Sequence, residues 1–162
     1  MFSQTAEYAL RVVAYLAAAG AKASTTRQIA ASTHVPVGYL AKVLQSLSRG
    51  GIVRSQRGPR GGSVLARPAA QLTIYDVVQA VDPILRITSC PLGLKEHAAG
   101  LCPVHRRLDD AIGLVERSFR DATIADLLTG PSRGEPLCET GGAGKSAAIA
   151  LTLPRGRRAA RR

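Results

Sequence analysis

The stretch from Pro36 to Arg67 constrains the fold more than any other part of this sequence. A basic helix pattern begins at Pro36 and stops at Gly50-Gly51, where glycine commonly ends a helix. Two runs typical of strands, 52–55 and 63–66, lie on either side of a Gly/Pro/Arg turn at 58–62. A cationic helix joined directly to a cationic hairpin is typical of a winged helix-turn-helix. In such a fold the helix enters the major groove of DNA and the hairpin reaches the neighbouring backbone or minor groove.

Two helix patterns precede this stretch and complete a helix-turn-helix. The first runs from Ser3 to Ala19, with apolar residues recurring at spacings of three and four. The second begins at a capping box formed by Thr25 and Gln28 and ends near Thr33. Pro36 suits the first position of the third helix, because its missing N–H would have no intrahelical partner there. Two short helices separated by a small turn are the helix-turn-helix pattern.

Further helix patterns follow the hairpin. Thr73 and Asp76 form a second capping box that opens a helix over Ile74–Val81. After an irregular loop, a longer pattern covers Val104–Phe119 and a brief turn follows at 124–128. The predicted fold class is therefore mainly α with a small β-hairpin wing.

Positive charge is concentrated in the first half of the chain. The net charge is +11, and residues 1–75 carry nine Lys and Arg against one acidic residue, which gives +8 there. Such a lobe attracts polyphosphate without regard to sequence. A merely cationic surface is the alternative, because charge alone does not define a fold.

Nothing in the sequence indicates a membrane or a disulfide-stabilised secreted protein. The longest apolar stretch, Val12–Ala21, is too short to span a bilayer. Three cysteines are too few and too unevenly placed for a disulfide framework. We therefore expect a cytoplasmic protein with no membrane partner.

Two groups of polar side chains are predicted to face DNA. The face of the third helix opposite its apolar stripe carries Tyr39, Lys42, Gln45, Ser46 and Arg49. Lys and Gln match the donor and acceptor pattern of base edges, although most protein–DNA hydrogen bonds go to the backbone. Arg57 and Arg60 bracket the hairpin turn, from which an arginine can enter a narrow minor groove. The alternatives are a solvated helix face and an ordinary tight hairpin.

A possible sensor site lies in the irregular segment. Cys90 and Cys102 stand at its two ends, and His105 follows at the start of a helix, whose dipole lowers a thiol pKa. Cys and His are ligands that zinc or an iron–sulfur cluster uses. The spacing alone equally allows unligated thiols. A Cys102–His105 nucleophilic pair is disfavoured, because the sequence shows no orienting partner or oxyanion site for it.

Several motifs together resemble one family of bacterial regulators. They are Ala6–Arg11, Val37–Leu44, the wing Arg57–Gly62 with Leu65–Arg67, and Val78-x-x-Val81-Asp82. In combination they resemble the Rrf2 family of winged-helix repressors, over residues 1 to about 128. The resemblance implies a homodimer held by the long helix and bound to a partly palindromic double-stranded DNA operator through both wings.

The resemblance also bears on the cysteines. Sensor members of the family hold a cluster with three cysteines in this loop. Cys90 and Cys102 match the first and last of them, His105 matches a following histidine, and the middle position falls at about Glu96. Glu7 lies where an acidic ligand would be supplied across the dimer. The resemblance thus implies a [2Fe–2S] cluster completed by His105, Glu7 or Glu96.

These inferences predict four regions. They are a winged helix-turn-helix DNA-binding domain at 1–82, a cysteine-containing sensor loop at 83–103, a dimerisation helix at 104–129 and a disordered basic tail at 130–162. We expect a sequence-specific transcriptional regulator that senses iron–sulfur status, nitric oxide or redox state, and not an enzyme. The alternatives are a regulator without a cluster, acting as a thiol switch or constitutively, and a basic module that binds an acidic protein.

Overall fold

A computed structural model describes residues 3–58, 61–92 and 100–129. The predicted basic tail at 130–162 lies outside the described residues, as do Arg60 and Glu96. In chain order the elements are α1 (Gln4–Ala19), α2 (Thr26–Thr33), α3 (Val37–Arg49), β1 (Val53–Gln56), β2 (Gly62–Leu65), a 3-10 turn (Ala69–Gln71), α4 (Ile74–Val81), α5 (Pro103–Arg120) and α6 (Ile124–Thr129). This is the predicted mainly helical fold with a two-stranded wing.

The helices begin where the sequence places capping residues. Ser3 caps α1 through its side chain, and the Thr25–Gln28 and Thr73–Asp76 boxes cap α2 and α4. Pro36 is the N-cap of α3 rather than its first helical residue, so that prediction was wrong by one position. The reason is its ψ of 130°, which is extended and leaves Val37 to begin the helix.

The wing is an antiparallel hairpin whose strands lie one residue from their predicted bounds. Val53 pairs with Leu65 and Gln56 pairs with Gly62. Ser24 extends the hairpin, because its backbone exchanges hydrogen bonds with Ser63 in both directions, at 3.0 and 2.8 Å. A Cβ at Gly62 would lie 2.4 Å from the Ser24 carbonyl oxygen, so only glycine permits this approach.

The core joins the helix-turn-helix to the C-terminal end of the described chain. Leu40, Val43 and Leu47 anchor α3 in it with no more than 1% of their surface exposed. Ile124 of α6 is fully buried in the same core. Its backbone N–H donates to the Leu72 carbonyl at 2.7 Å, which brings the chain back to the winged region after α5.

Helix α5 is less covered than the other long helices. The apolar residues that recur at spacings of four, three and four from Leu108 are incompletely covered: Leu108 is 50% exposed, and Ile112, Val115 and Phe119 are half-buried. Val104 and Leu114 are also exposed, at 65% and 62%. Across the described ranges, no helix combines the length and apolar character that crossing a membrane requires.

Candidate DNA-binding face and metal centre

Helix α3 presents a polar face to solvent beside the wing. Lys42, Gln45 and Arg49 are exposed, whereas Ser46 is half-buried. The buried residues on the opposite side of α3 fix the direction of these side chains, because residues three and four apart lie on one face of a helix. The face offers two cations and one amide to a duplex.

Tyr39 differs from its neighbours on this helix. Its hydroxyl lies 2.5 Å from the Thr5 hydroxyl, and its ring meets the Tyr8 ring edge-on at 5.6 Å between centroids. Tyr39 therefore packs between α3 and α1, with 37% of its surface exposed. Sequence reasoning missed this contact, because the pattern of α3 alone does not reveal which helix lies across its first turn.

The wing adds a second basic surface. Arg57 follows β1 directly and is exposed, and Arg54 within β1 is exposed on the outer side of the hairpin. Arg54 was not among the predicted contact residues, although its alternation with the buried Val53 was the available signal. The predicted contact by Arg60 stays a prediction, since that residue lies outside the described residues.

The sulfur atoms of both loop cysteines lie beside one imidazole. Nδ1 of His105 is 3.1 Å from Sγ of Cys102 and 3.6 Å from Sγ of Cys90. The three possible ligand atoms all lie within 4.8 Å of one another. Cys102 caps α5 and is 8% exposed, while Cys90 and His105 are partly exposed. The fold thus brings together three of the four predicted metal ligands, separated in sequence by up to 15 residues.

The surroundings of Cys102 lower the pKa of its thiol and so favour the thiolate form. The hydrogen bond from the His105 backbone N–H is the largest influence that lowers the pKa of Cys102, from 9.0 to about 7. The His105 side chain, Cys90 and the Val104 backbone lower the pKa further, whereas desolvation by burial raises it. The thiolate is the form that binds metals and reacts with oxidants, so this site suits both chemistries.

Glu7 occupies a different part of the chain. It lies on α1, is exposed, and forms an ion pair with Arg11 one turn away. It does not belong to the Cys90/Cys102/His105 group among the described residues. The predicted role of Glu7 as a ligand across a dimer stays a prediction.

Comparison with known proteins identifies the family. Residues 2–130 match the model of the Rrf2 family, described as an iron-dependent transcriptional regulator. The chain belongs to the Rrf2 family. A protein of Aquifex aeolicus named as an HTH-type transcriptional regulator is 34% identical over 131 residues, which span 79% of this chain and 91% of the relative. A similarly named Mycobacterium tuberculosis protein is 33% identical over 133 residues, or 79% and 81% of the two chains.

Solved structures confirm the winged-helix fold of this Rrf2 member. IscR of T. potens superposes with a TM-score of 0.68 at 20% identity, covering 82% of this chain and 88% of that one. CymR, the global cysteine regulator of B. subtilis, gives 0.66 at 23% identity, covering 82% and 98%. Membership of the family makes the chain a DNA-binding transcriptional regulator and not an enzyme.

A side-chain cluster that sequence reasoning missed holds the Cys90 segment of this Rrf2 protein against α5. Arg86 donates two hydrogen bonds to the Asp109 carboxylate, from Nε at 2.7 Å and from Nη2 at 2.5 Å. Its Nη1 lies 3.6 Å from Glu116, and its guanidinium lies against Gly113. We call these four residues the Arg86 clasp. Sequence spacing could not reveal it, because 23 residues separate Arg86 from Asp109.

Proposed function

We propose that this protein is a homodimeric operator-binding regulator whose DNA affinity depends on the state of a metal or thiol centre formed by Cys90, Cys102 and His105. The observation that carries the proposal is the convergence of two sulfur atoms and one ring nitrogen within 4.8 Å. Because Cys90 follows the winged region and Cys102 begins α5, a chemical change at the centre acts where these two parts meet.

The donor set fits a metal centre. Two thiolates and an imidazole are ligands of zinc and of iron–sulfur clusters. A [2Fe–2S] cluster takes four protein ligands, so the three donors on this chain need a fourth. Glu7 of the partner subunit and Glu96 are the residues that the sequence offers for that place. A cluster would supply a group that oxidation, nitric oxide or loss of iron changes, and the family's description as iron-dependent supports this reading.

We further propose that α3 and the wing bind the operator through Lys42, Gln45, Ser46, Arg49, Arg57 and Arg60. Lys42, Gln45, Arg49 and Arg57 are exposed on two adjacent elements, which is the arrangement that a major groove and its flanking backbone accept. Arginine and lysine supply the electrostatic part of affinity, while Gln45 carries the amide that can read adenine. Tyr39 orients α3 through its contact with α1.

The dimer contact is proposed to be the exposed apolar side of α5. Val104, Leu108, Ala111 and Val115 follow one another at spacings of four, three and four, so they form one stripe. Val104 and Leu108 are at least half-exposed in the single chain. A second copy of the same helix would cover the stripe symmetrically, as an isologous interface requires. Movement of α5 would then alter the distance between the two recognition helices.

Anaerobic purification with an absorption spectrum and iron, sulfide and zinc analysis tests the metal part of this proposal. The expected result is a metal or cluster in the parent protein that Cys90→Ala and Cys102→Ala abolish. Cys138→Ala, which removes the third cysteine of the sequence, should retain it. Operator titrations of the same variants, with and without oxidant or nitric oxide, test the regulatory part. The proposal is wrong if both loop variants bind the operator like the parent under every condition.

A thiol switch is the second candidate function. The two loop sulfurs are close, and the lowered pKa of Cys102 favours reaction with oxidants. A metal-free protein whose operator affinity changes on oxidation would select this candidate. If the protein binds operator and scrambled DNA equally well and also binds an acidic protein, the alternative of a basic protein-interaction module is selected instead.

A further inference from the structure

The segment between α4 and Cys90 lies along one face of α5. Ile87 donates its backbone N–H to Asp109 at 2.9 Å, and three residues later Cys90 meets His105. Asp109 and His105 are four residues apart on α5, so they occupy one face on successive turns. The chain therefore runs antiparallel to α5, from the turn of Asp109 to the turn of His105.

Side chains provide the attachment of this segment to the helices. The Asp109 carboxylate accepts three N–H groups, two from Arg86 and one from Ile87. At the other end of the segment, Gln79 accepts the Ile84 N–H at 2.7 Å. The Asp109 side chain is 16% exposed and that of Arg86 is 44% exposed, and the two parallel hydrogen bonds distinguish this pair from a single-contact surface ion pair. The segment that leads to Cys90 is thus held by the side chains of Arg86, Asp109 and Gln79.

Gly113 gives the guanidinium its place on the helix. A Cβ at residue 113 would lie 3.2 Å from Nη1 and 3.3 Å from Cζ of Arg86. Glycine is energetically unfavourable in the middle of a helix, so we expect a close packing contact to explain Gly113 in α5. The close approach of Arg86 supplies that reason. Glu116 of the clasp also accepts a hydrogen bond from Arg120. The Arg120 guanidinium lies 3.6 Å from the centre of the Tyr75 ring on α4.

We propose that Arg86 is a positioning residue for the Cys90/Cys102/His105 centre, acting through Asp109 and Gly113 to hold Cys90 in reach of the other two donors. The metal consequence rests on the proposed function, whereas the positioning of the thiol does not. Groups that orient ligands without touching the metal contribute strongly to affinity, and their substitution typically weakens binding about 10- to 100-fold. The clasp acts by preorganisation: it already orders the segment from Ile84 to Cys90, so the entropic cost of ordering that segment does not oppose metal binding.

The test compares Arg86→Gln and Gly113→Ala with the parent in the full chain, all carrying Cys138→Ser. Arg117→Gln is the matched control, since Arg117 is an exposed arginine of α5, the helix that carries Asp109 and Gly113. Co²⁺ is titrated anaerobically and followed by its thiolate charge-transfer absorption. We expect both clasp variants to bind Co²⁺ about 10- to 100-fold more weakly and the control to match the parent. Alanine favours helix more than glycine does, so a loss in Gly113→Ala cannot be assigned to a weaker α5.

A second measurement is independent of metal. In a glutathione buffer containing a chelator, the two loop thiols lose two protons and two electrons to form the Cys90–Cys102 disulfide, and one glutathione disulfide is reduced to two glutathiones. We expect a several-fold lower equilibrium constant for this disulfide in the clasp variants, because Cys90 is less often near Cys102. Parent-like Co²⁺ affinity and disulfide formation in Arg86→Gln and Gly113→Ala would overturn the proposal. If the parent binds no Co²⁺, the metal part of the proposed function fails while the disulfide equilibrium still decides the role of Arg86. Should Arg86→Gln not fold, Asp109→Asn, which keeps the side-chain shape and removes the charge that Arg86 binds, decides in its place.

Discussion

The hydroxyl of Tyr39 lies 2.5 Å from that of Thr5 and joins the first turn of α3 to the first turn of α1. The edge-on contact of the Tyr39 and Tyr8 rings lies beside this hydrogen bond. Together they fix the angle at which the N-terminal end of α3 leaves the body of the protein. In the proposed binding mode the N-terminal part of α3 contacts base edges, so this angle would govern how α3 enters the groove.

Removing either hydroxyl of this pair should have the same effect. Tyr39→Phe and Thr5→Val are each expected to lower the free energy of unfolding by about 0.5–1.5 kcal/mol, which a typical hydrogen bond contributes. The double variant should cost little more than either single one. Urea unfolding and operator titration provide the measurements. If Tyr39→Phe weakens operator binding and Thr5→Val leaves it unchanged, Tyr39 contacts DNA directly, as its place in the sequence predicted.

Lys42 and Gln45, the two exposed side chains at the centre of α3, should contribute differently: Lys42 to the affinity for any duplex, and Gln45 to the preference for the operator. Lys42→Ala is expected to weaken binding to all duplexes and to reduce by about one the slope of log affinity against log salt. Gln45→Ala is expected to leave the slope unchanged and to cost about 1–3 kcal/mol of discrimination at one base pair. Fluorescence anisotropy with operator and scrambled duplexes, at several salt concentrations, separates the two effects. Equal losses on both duplexes for Gln45→Ala would refute its reading role.

The reactivity of Cys102 should report its lowered pKa. Alkylation by iodoacetamide, followed for the Cys102 peptide by mass spectrometry, is expected to show a midpoint near pH 7 in the metal-free protein. His105→Ala should raise this midpoint only in part, because the largest influence is the backbone N–H of residue 105, which the variant retains. A midpoint close to 9 in the parent would contradict the geometry of this helix terminus.

Acid should weaken the clasp only at very low pH. The hydrogen bonds from Arg86, and next that from the Ile87 N–H, lower the pKa of Asp109 from 3.8 to about 2. A carboxyl group whose pKa is lower in the folded state stabilises the fold above its unfolded pKa, and that stability is lost as the pH falls toward the folded value. Asp109→Asn should therefore reduce Tm at pH 5 and flatten its dependence on pH between about 4 and 2. An unchanged Tm profile would mean that the carboxylate contributes nothing to stability.

The proposed dimer contact predicts different effects for two exposed leucines of α5. Leu108 lies on the stripe with Val104, whereas Leu114 lies about a quarter-turn away from it. Leu108→Glu is expected to give a monomer with much weaker operator affinity, because a buried unpaired charge at an interface is costly. Leu114→Glu should remain dimeric. Analytical ultracentrifugation measures the outcome, and a dimeric Leu108→Glu protein would exclude the stripe as the contact.

The local part of this fold was predictable from sequence, and the long-range part was not. Capping boxes at Thr25 and Thr73 act over three residues, so their patterns gave the starts of α2 and α4. The centre was partly predictable, since Cys102 and His105 lie three residues apart at the start of α5 and so face the same side. The placement of Cys90 opposite His105 accompanies the contact of Arg86 with Asp109, whose 23-residue separation leaves no periodic signal. The contact of Tyr39 with Thr5 was likewise invisible, because 34 residues separate them.

Helix α6 has a consequence for how the protein responds as a whole. Its Ile124 is fully enclosed among the residues that also support α3, and its first backbone N–H is bound by Leu72. The Arg120 end of α5 is thereby anchored to the core, whereas the Cys102 half of this 18-residue helix, about 27 Å long in all, is contacted by Arg86 and Cys90. In the proposed function, a chemical change at the two sulfur atoms that tilts α5 by only a few degrees would move its Cys102 end by ångströms. The helix-turn-helix itself would keep its structure.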